Sequence, residues 1–468
     1  MPADPAYQPD PGSFRDPTSR VLVRGRDIFR TLSETALADF ETVEGTAFFK
    51  AALADGRIIA TERSDERIPG NPAAVLRHER VPVVTYPYEW TFTMLRDAAL
   101  LQLELLGAAL EEGVTSKDAS SYNVQFHGAQ PTFIDVGSFE KSRPGEPWYG
   151  YRQFCELFLY PLMLQAYKDV PFHTWLRGSV DGISPQDMHE LMSLRDHFRK
   201  GVFTHVHLHA KLQAKYGDSR RDVKGEVAKA GFKDELVKAN VRRLTKVVGG
   251  LQWKAAASEW ADYRADNSYD DADTAAKVAF VEKVCAGRPR TLVWDVGAND
   301  GRFSRIAAEH SELVLALDAD HLVVDRLYQT LRRENERRIL PLVMDLANPS
   351  PGLGWRGVER RPLADRGRPD LVLCLAVIHH LAISRMVPLS EFTGWLAGLG
   401  GEVVIEFPTR DDPQVQRLLR NKRAGIFDNY DVEPMERALA DHFTITGREE
   451  LPSGRRILYS GTPRRSTA

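Results

Sequence analysis

Past residue 271 the chain alternates between short apolar runs and longer amphipathic stretches. The runs are Leu292–Val296, Leu313–Leu317, Ile339–Val343, Leu371–Ala376, Val403–Phe407, Phe443–Thr446 and Ile457–Ser460, seven in all. Helix-like stretches separate the first five, which predicts a parallel sheet with helices on both faces. The last two are joined only by Leu451-Pro452-Ser453-Gly454-Arg455-Arg456, a hairpin-like link, so the final strand is expected to be antiparallel. A helix is expected over Ala275–Val284, capped by Asp270 or Asp271.

The preceding half is patterned differently. From Val21 to about Arg63 it reads as strands, with Val43–Leu53 and Arg57–Thr61 flanking Ala54-Asp55-Gly56 as a hairpin signal. Pro69, Gly70 and Pro72 break the chain, and Val81–Tyr88 is a further extended run. Met94, Ala98, Leu101, Leu105 and Ala108 recur at helical spacing, predicting a helix from Thr91 to about Glu112 that Gly113 ends. Trp148 to about Gly250 reads as mostly helical. Within it, Tyr151–Tyr167 is apolar on most sides and so buried, and Ser184-Pro185-Gln186-Asp187 resembles a helix start. Lys211–Lys246 mixes basic and acidic residues and reads as a solvated face and linker. The expected class is α/β: a mobile tail over 1–20, an α+β module over 21–147, a helical region and linker over 148–255, and a Rossmann-like seven-stranded domain over 256–468.

Composition narrows the function classes. The chain has 468 residues, 43% hydrophobic and 27% charged, with a formal charge of −3. That balance provides no basic field for nucleic acid. No apolar run approaches the ~18 residues that cross a membrane, so no membrane partner is expected. The Pro- and Asp-rich beginning lacks the apolar core of a signal peptide. Cys155, Cys285 and Cys374 lie too far apart in sequence to read as a disulfide framework or zinc site, and a reducing cytoplasm is the simplest compartment.

The chemistry centres on Val293-Trp294-Asp295-Val296-Gly297-Ala298-Asn299-Asp300-Gly301, a strand, a tight glycine turn and a helix start. Such a turn lets backbone approach a nucleotide-like ligand. Asn299 stands where a dehydrogenase fingerprint has its second Gly. Asp318 ends the second run, where a carboxylate can accept hydrogen bonds from both hydroxyls of a ribose. The Asp-x-Gly-x-x-x-Gly spacing resembles motif I of class I S-adenosylmethionine (SAM) methyltransferases, which close a parallel sheet with one antiparallel strand. The resemblance implies SAM as cofactor, with Asp295, Gly297, Asn299 and Gly301 at its methionine end and Asp318 at its ribose. It also implies Asp345 at the adenine amine and Leu375 and Ala376 beside the methyl-transfer centre. Tyr263, Tyr269 and Lys277, before the first strand, are candidates for a lid over the cofactor. For a hydroxyl acceptor a general base helps, and His379, His380 and Glu406 are the candidates. A His pair after this strand also serves as a structural element in many methyltransferases.

Three further constellations carry weaker signals. Asp118, Asn123 and Asp135, with a hairpin around His127-Gly128 between the last two, resemble the catalytic and metal loops of kinase-like folds. Ser116 replaces the usual His, no Gly-rich loop precedes them, and Lys50 is a loose candidate for the strand lysine. The alternative reading makes the three turn and cap residues. His205, His207 and His209 alternate, but in a helix His207 would point away from the other two, so no metal is expected. The Asp118–Phe139 block, Asp411–Leu419, Arg417–Arg423 and Ile426–Tyr430 together resemble large bacterial methyltransferases that include nodulation host-specificity proteins. That likeness implies a small-molecule or glycoconjugate acceptor. The rival expectations are a bifunctional protein with a phosphotransferase module and an inactive SAM-binding scaffold.

Overall fold

The computed structural model describes residues 7–217, 234–254, 271–423 and 425–464. The chain divides into two compact units. The first comprises Met1–Phe126, Pro131–Ala255 and Gly352–Arg361; the second takes His127–Gln130, Ala256–Pro351 and Pro362–Ala468.

In the first unit, β1 (Gln8–Pro9), β2 (Ser19–Arg24), β3 (Asp27–Leu32), β4 (Thr61–Ser64) and β5 (Ala74–His78) form an antiparallel sheet in the order β1-β2-β3-β5-β4. Residues 7–20 therefore dock on the body: the Asp10 N–H donates to the Val21 carbonyl at 2.9 Å.

The expected hairpin at Ala54-Asp55-Gly56 is a correction. Between β3 and β4 lie two helices, α1 (Glu34–Glu44) and α2 (Ala47–Ala54), and Gly56, at φ 79°, follows the second. Two local features favour helix. Ser33 caps α1, its Oγ accepting the Ala36 N–H at 3.3 Å, and Ala36, Phe40 and Val43 are buried at helical spacing. The Glu112 carboxylate accepts the Ala47 and Phe48 N–H groups, each at 2.7 Å, and so caps α2 from a distant part of the sequence.

α3 (Phe92–Glu111) is the predicted helix, with Thr91 Oγ1 accepting the Met94 N–H at 3.1 Å. It is buried beyond the expected stripe, through Leu103, Leu106 and Ala109 as well. The short strands β6 (Val114–Ser116) and β9 (Phe139–Lys141) pair, as do β7 (Val124–His127) and β8 (Gln130–Phe133), the expected hairpin. α4 (Tyr151–Phe154), a π turn at Cys155–Leu159 and α5 (Tyr160–Lys168) run on as one buried rod. α6 (His173–Gly178), α7 (Pro185–Leu191) with its Ser184 cap, and α8 (Leu208–Gly217) follow.

The stretch read as solvated linker contains α9 (Asp234–Gly249), which packs on α3. Val237, Val241, Leu244 and Val248 form a buried stripe at spacings of four and three, masked in sequence by the basic residues on the helix's other face.

The second unit is a doubly wound sheet. β10 (Arg290–Val296), β11 (Ser311–Asp318), β12 (Ile339–Val343), β13 (Leu371–Cys374) and β14 (Glu402–Pro408) are parallel. β15 (Phe443–Glu450) and β16 (Arg456–Pro463) form the terminal hairpin, and β16 inserts antiparallel to both β14 and β15. The order is β12-β11-β10-β13-β14-β16-β15. It reverses direction between β10 and β13, the switch point where open α/β sheets bind ligands. The helices are α10 (Asp271–Ala286), α11 (Arg302–Ala308), α12 (His321–Glu334), α13 (Leu389–Leu399), α14 (Pro413–Leu419) and α15 (Val432–His442). The fourth strand stops at Cys374, two residues before the end of its apolar run, because Ala376 turns to φ 57°. All three cysteines are buried and unbridged. Among the described residues no helix is long and apolar enough to cross a membrane.

Truncating α9 separates a core helix from a solvated linker. Leu244 is fully buried. Leu244→Ala is expected to lower stability by roughly 2–5 kcal/mol through lost transfer energy and a cavity, read as a reduced urea midpoint. An unchanged midpoint would place this segment outside the core.

Candidate functional site

The site begins with a turn that few residues can make. Between β10 and α11, Gly297, Asn299 and Gly301 lie at φ 77°, 48° and 80°. A side chain on Gly297 would put its Cβ 2.2 Å from Val377 Cγ2, and one on Gly301 would lie 2.7 Å from Leu327 Cδ1. Both positions therefore need glycine for conformation and for space. The N–H groups of Gly297 and Ala298 donate to the Leu317 carbonyl at 2.8 and 3.1 Å, tying the turn to the end of β11.

Asp318 extends that tie. Its Oδ2 accepts the Asn299 N–H and its Oδ1 the Asp320 N–H, each at 3.0 Å. Burial raises its pKa while these donors pull it back. A carboxylate accepts about four hydrogen bonds, so two backbone donors leave it capacity for a vicinal diol. The Met344 N–H donates to the Asp318 carbonyl at 2.7 Å, and Asp345 follows, half-buried, accepting from Ala347 N and Arg385, each at 2.9 Å. On the other side of the turn, the Leu375 carbonyl lies 3.6 Å from where a Gly297 Cβ would sit. Gly297, Leu375 and Ala376 thus share one end of the switch point.

Asp295 faces the other way. Fully buried, it accepts the Ser304 hydroxyl at 2.6 Å and so binds strand to helix beneath the turn. Burial pushes its pKa up to about 6, against the pull of Ser304 and Lys277.

The base candidates occupy a buried charged layer. Glu406 accepts Lys277 Nζ at 2.7 Å and Arg456 Nη1 at 3.2 Å, and Arg456 Nε donates to Asp412 at 2.7 Å. All four side chains are buried. A carboxylate held by two cations is a poor proton acceptor. Lys277, expected in a lid, is instead inside, 4.8 Å over the Phe303 ring and lowered by burial against the pull of Glu406. Its burial was not legible, because its partner Glu406 lies 129 residues away. The sequence reading missed Arg456 and Asp412 for the same reason.

His379 and His380 follow β13, their ring centroids 4.0 Å apart. His379 is fully buried, and its ring nitrogens have no protein hydrogen-bond partner among the described residues. Burial, then His380, Arg456 and Lys277, hold it well below the ordinary range; burial, then Arg456, holds His380 at about 4. Both rings are therefore neutral near pH 7. Tyr263 and Tyr269 lie outside the described residues.

In the first unit the three residues of the kinase-like pattern come together through hydrogen bonds and an ion pair. Asp118 Oδ1 accepts the Ser120 N–H at 2.8 Å, and burial, then Asp135, raises its pKa. Asn123 Nδ2 donates to Ser138 Oγ at 3.2 Å, Ser138 in turn donates to Asp135, and Arg30 pairs with Asp135 at 2.7 Å. Lys50 is not a strand lysine: it lies in α2, exposed, with Nζ donating to the Gly45 carbonyl at 3.1 Å. His205 and His209 each bond a tyrosine, Tyr151 and Tyr160 respectively, at 2.8 Å, whereas His207 turns away to His189. Among the described residues no group of three or more His, Cys, Asp or Glu is arranged to hold a metal ion.

Two measurements test the buried layer. Glu406→Gln strips Lys277 of its counter-charge and should cost roughly 3–5 kcal/mol in urea unfolding; full stability with lost turnover would instead make Glu406 a base. Asp295 titrates from an ordinary 3.8 unfolded to about 6 folded, so the folded state holds the extra proton. This group's stabilisation is present below about pH 4 and lost as pH rises to about 6. Asp295→Asn should therefore flatten the fall in urea midpoint between those pH values; a parallel fall in both proteins contradicts the assignment.

No family model matches the chain. It is 35% identical over 456 residues to nodulation protein NoeA of Rhizobium meliloti strain 1021, covering 96% of this chain and 95% of that protein. Solved structures similar to it include the N-methyltransferase NodS from Bradyrhizobium japonicum WM9, at 13% identity over 42% of this chain and 99% of that one, TM-score 0.31. Magnesium protoporphyrin IX methyltransferase ChlM from Synechocystis PCC 6803 aligns at 17% identity over 44% and 93%, TM-score 0.30. With a full-length relative at this identity, and with the strand order and glycine turn of a class I methyltransferase fold in its second unit, the chain belongs to the family of nodulation protein NoeA.

Proposed function

We propose that the second unit binds SAM at the switch point and transfers its methyl group to a small molecule or glycoconjugate. The observation that carries this reading is the Gly297–Gly301 turn locked to Asp318, with acceptor capacity left on that carboxylate. In this reading Asp318 holds the ribose hydroxyls and Asp345 the adenine amine. Gly297, Asn299 and Gly301 make room for the methionine end, and Leu375 and Ala376 line the transfer centre. Asp295 positions the turn from below through Ser304.

SAM bound there would supply an electrophilic methyl carbon: the acceptor heteroatom's lone pair would form the new bond to it as the C–S bond breaks, with S-adenosylhomocysteine as the leaving group. The residues contribute chiefly alignment, because most of the advantage in such a displacement is proximity and orientation. His380 is the proposed acceptor of the proton released by a hydroxyl nucleophile: its neutral ring has a lone pair for that task, and burial and Arg456, which hold it at about 4, make it a weak base. Glu406 is assigned to the buried layer that shapes the ends of β14 and β16, and no proton step is given to it. The phosphotransfer rival finds no support in Asp135, which Arg30 already neutralises.

Calorimetric titration with SAM tests the reading. Asp318→Ala is expected to weaken binding about ten- to a hundredfold, since charge-assisted hydrogen bonds to ribose are lost. Unchanged affinity rejects the site. Tight binding with no methyl transfer to any glycoconjugate or small-molecule preparation tested would favour the scaffold instead.

A further inference from the structure

The first unit carries a surface of outward apolar side chains. Leu194 is 81% exposed, Phe198 94% and Phe203 60%, and Leu208 and Leu212 are exposed as well. In the same stretch His205 and His207 are buried. Val202, Val206 and Ala210 are buried with the histidines, so the stretch has a core face of its own and the large apolar side chains lie outside it.

The apolar residues are held outward by defined structure. Leu194–Phe198 is a 3-10 turn closed by a capping box: Asp196 Oδ2 accepts the Ser193 N–H at 2.9 Å and its hydroxyl at 2.7 Å. Lys168 and Arg199 also pair with Asp196, which is itself buried. The next turn, Phe203–His207, is a π turn. Its wider period brings Phe203 and Leu208 onto one face, and Leu212 follows one α-helical turn later.

Charge adds the second observation. Residues 193–217 and 234–254 hold ten Lys or Arg against three acidic residues, the buried Asp196 and, in the first turn of α9, Asp234 and Glu235, in a chain whose formal charge is −3. Arg195 and Arg199 interleave with the exposed apolar residues, and Lys200 donates to the Lys246 carbonyl at 2.6 Å, which brings the basic face of α9 alongside. With Asp196 inside, the exposed surface is apolar at its tips and cationic around them.

We propose that this patch seats the first unit on an anionic phospholipid surface. Leu194, Phe198 and Phe203 enter the acyl boundary, and Arg195, Arg199 and Lys246 face the headgroup phosphates. Single protruding side chains at near-complete exposure fit a fluid boundary, which needs no preformed pocket. Lying on a bilayer in this way requires no membrane-crossing helix.

Vesicle sedimentation of the full chain tests the proposal. Vesicles containing about a third phosphatidylglycerol should carry the protein down, phosphatidylcholine vesicles should not, and added salt should release it. Leu194→Ser with Phe198→Ser should weaken binding roughly tenfold or more. Arg195→Glu with Lys246→Glu should do so independently, and neither pair should alter SAM titration or the thermal midpoint. Failure to bind anionic vesicles, or equal binding by the variants, overturns the proposal. So does concentration-dependent self-association that Leu194→Ser with Phe198→Ser abolishes, which would assign the patch to contact between copies of the chain.

Discussion

The constraint on which the second unit depends is a backbone one. Three left-handed residues within five positions let β10 turn into α11, while the N–H groups of Gly297, Ala298 and Asn299 reach the end of β11 and that of Gly301 closes the turn on the Ala298 carbonyl. Gly297 has no room for a Cβ, and Asp318 accepts the amide of Asn299. The same contacts that make the turn possible place the Asp318 carboxylate beside a turn whose first and last residues have no side chain. The proposed binding surface is thus a by-product of the geometry that joins the strands. Asp295, below, secures that geometry through Ser304, at the cost of a buried acid that holds its proton abnormally long.

A second layer of the site is electrostatic. Lys277, Glu406, Arg456 and Asp412 form a buried set with two charges of each sign. Buried ion pairs of this kind add little net stability over apolar packing, but removing one member is costly. Their effect reaches the residues after β13: burial is the main cause that keeps His379 and His380 neutral, and Arg456 adds to it for both and Lys277 for His379. The charges proposed to organise the strand ends therefore reinforce a neutral state that burial already favours.

The seven-stranded sheet was legible because its parallel strands are buried on both faces and appear as unbroken apolar runs. The terminal hairpin was legible from its short polar link. The N-terminal helices α1 and α2 were not, because Ala54-Asp55-Gly56 looks the same whether it ends a helix or turns a hairpin, and the cap from Glu112 lies far along the chain. α9 was hidden among lysines and arginines that occupy only its outer face. At the candidate site, Gly297, Asn299 and Asp318, singled out from their places at strand ends, lie together in the fold. Glu406 looked like a base because an acid at a strand end is visible in sequence, while its partners, 129 and 50 residues away, are not.

A crystal structure of the full chain with S-adenosylhomocysteine tests the central claim most directly. The account predicts the ribose hydroxyls on the Asp318 carboxylate, the adenine amine at Asp345, and the sulfur beside Leu375 and Ala376. A ligand bound elsewhere, or an Asp318 carboxylate that makes no contact with it, would contradict the account.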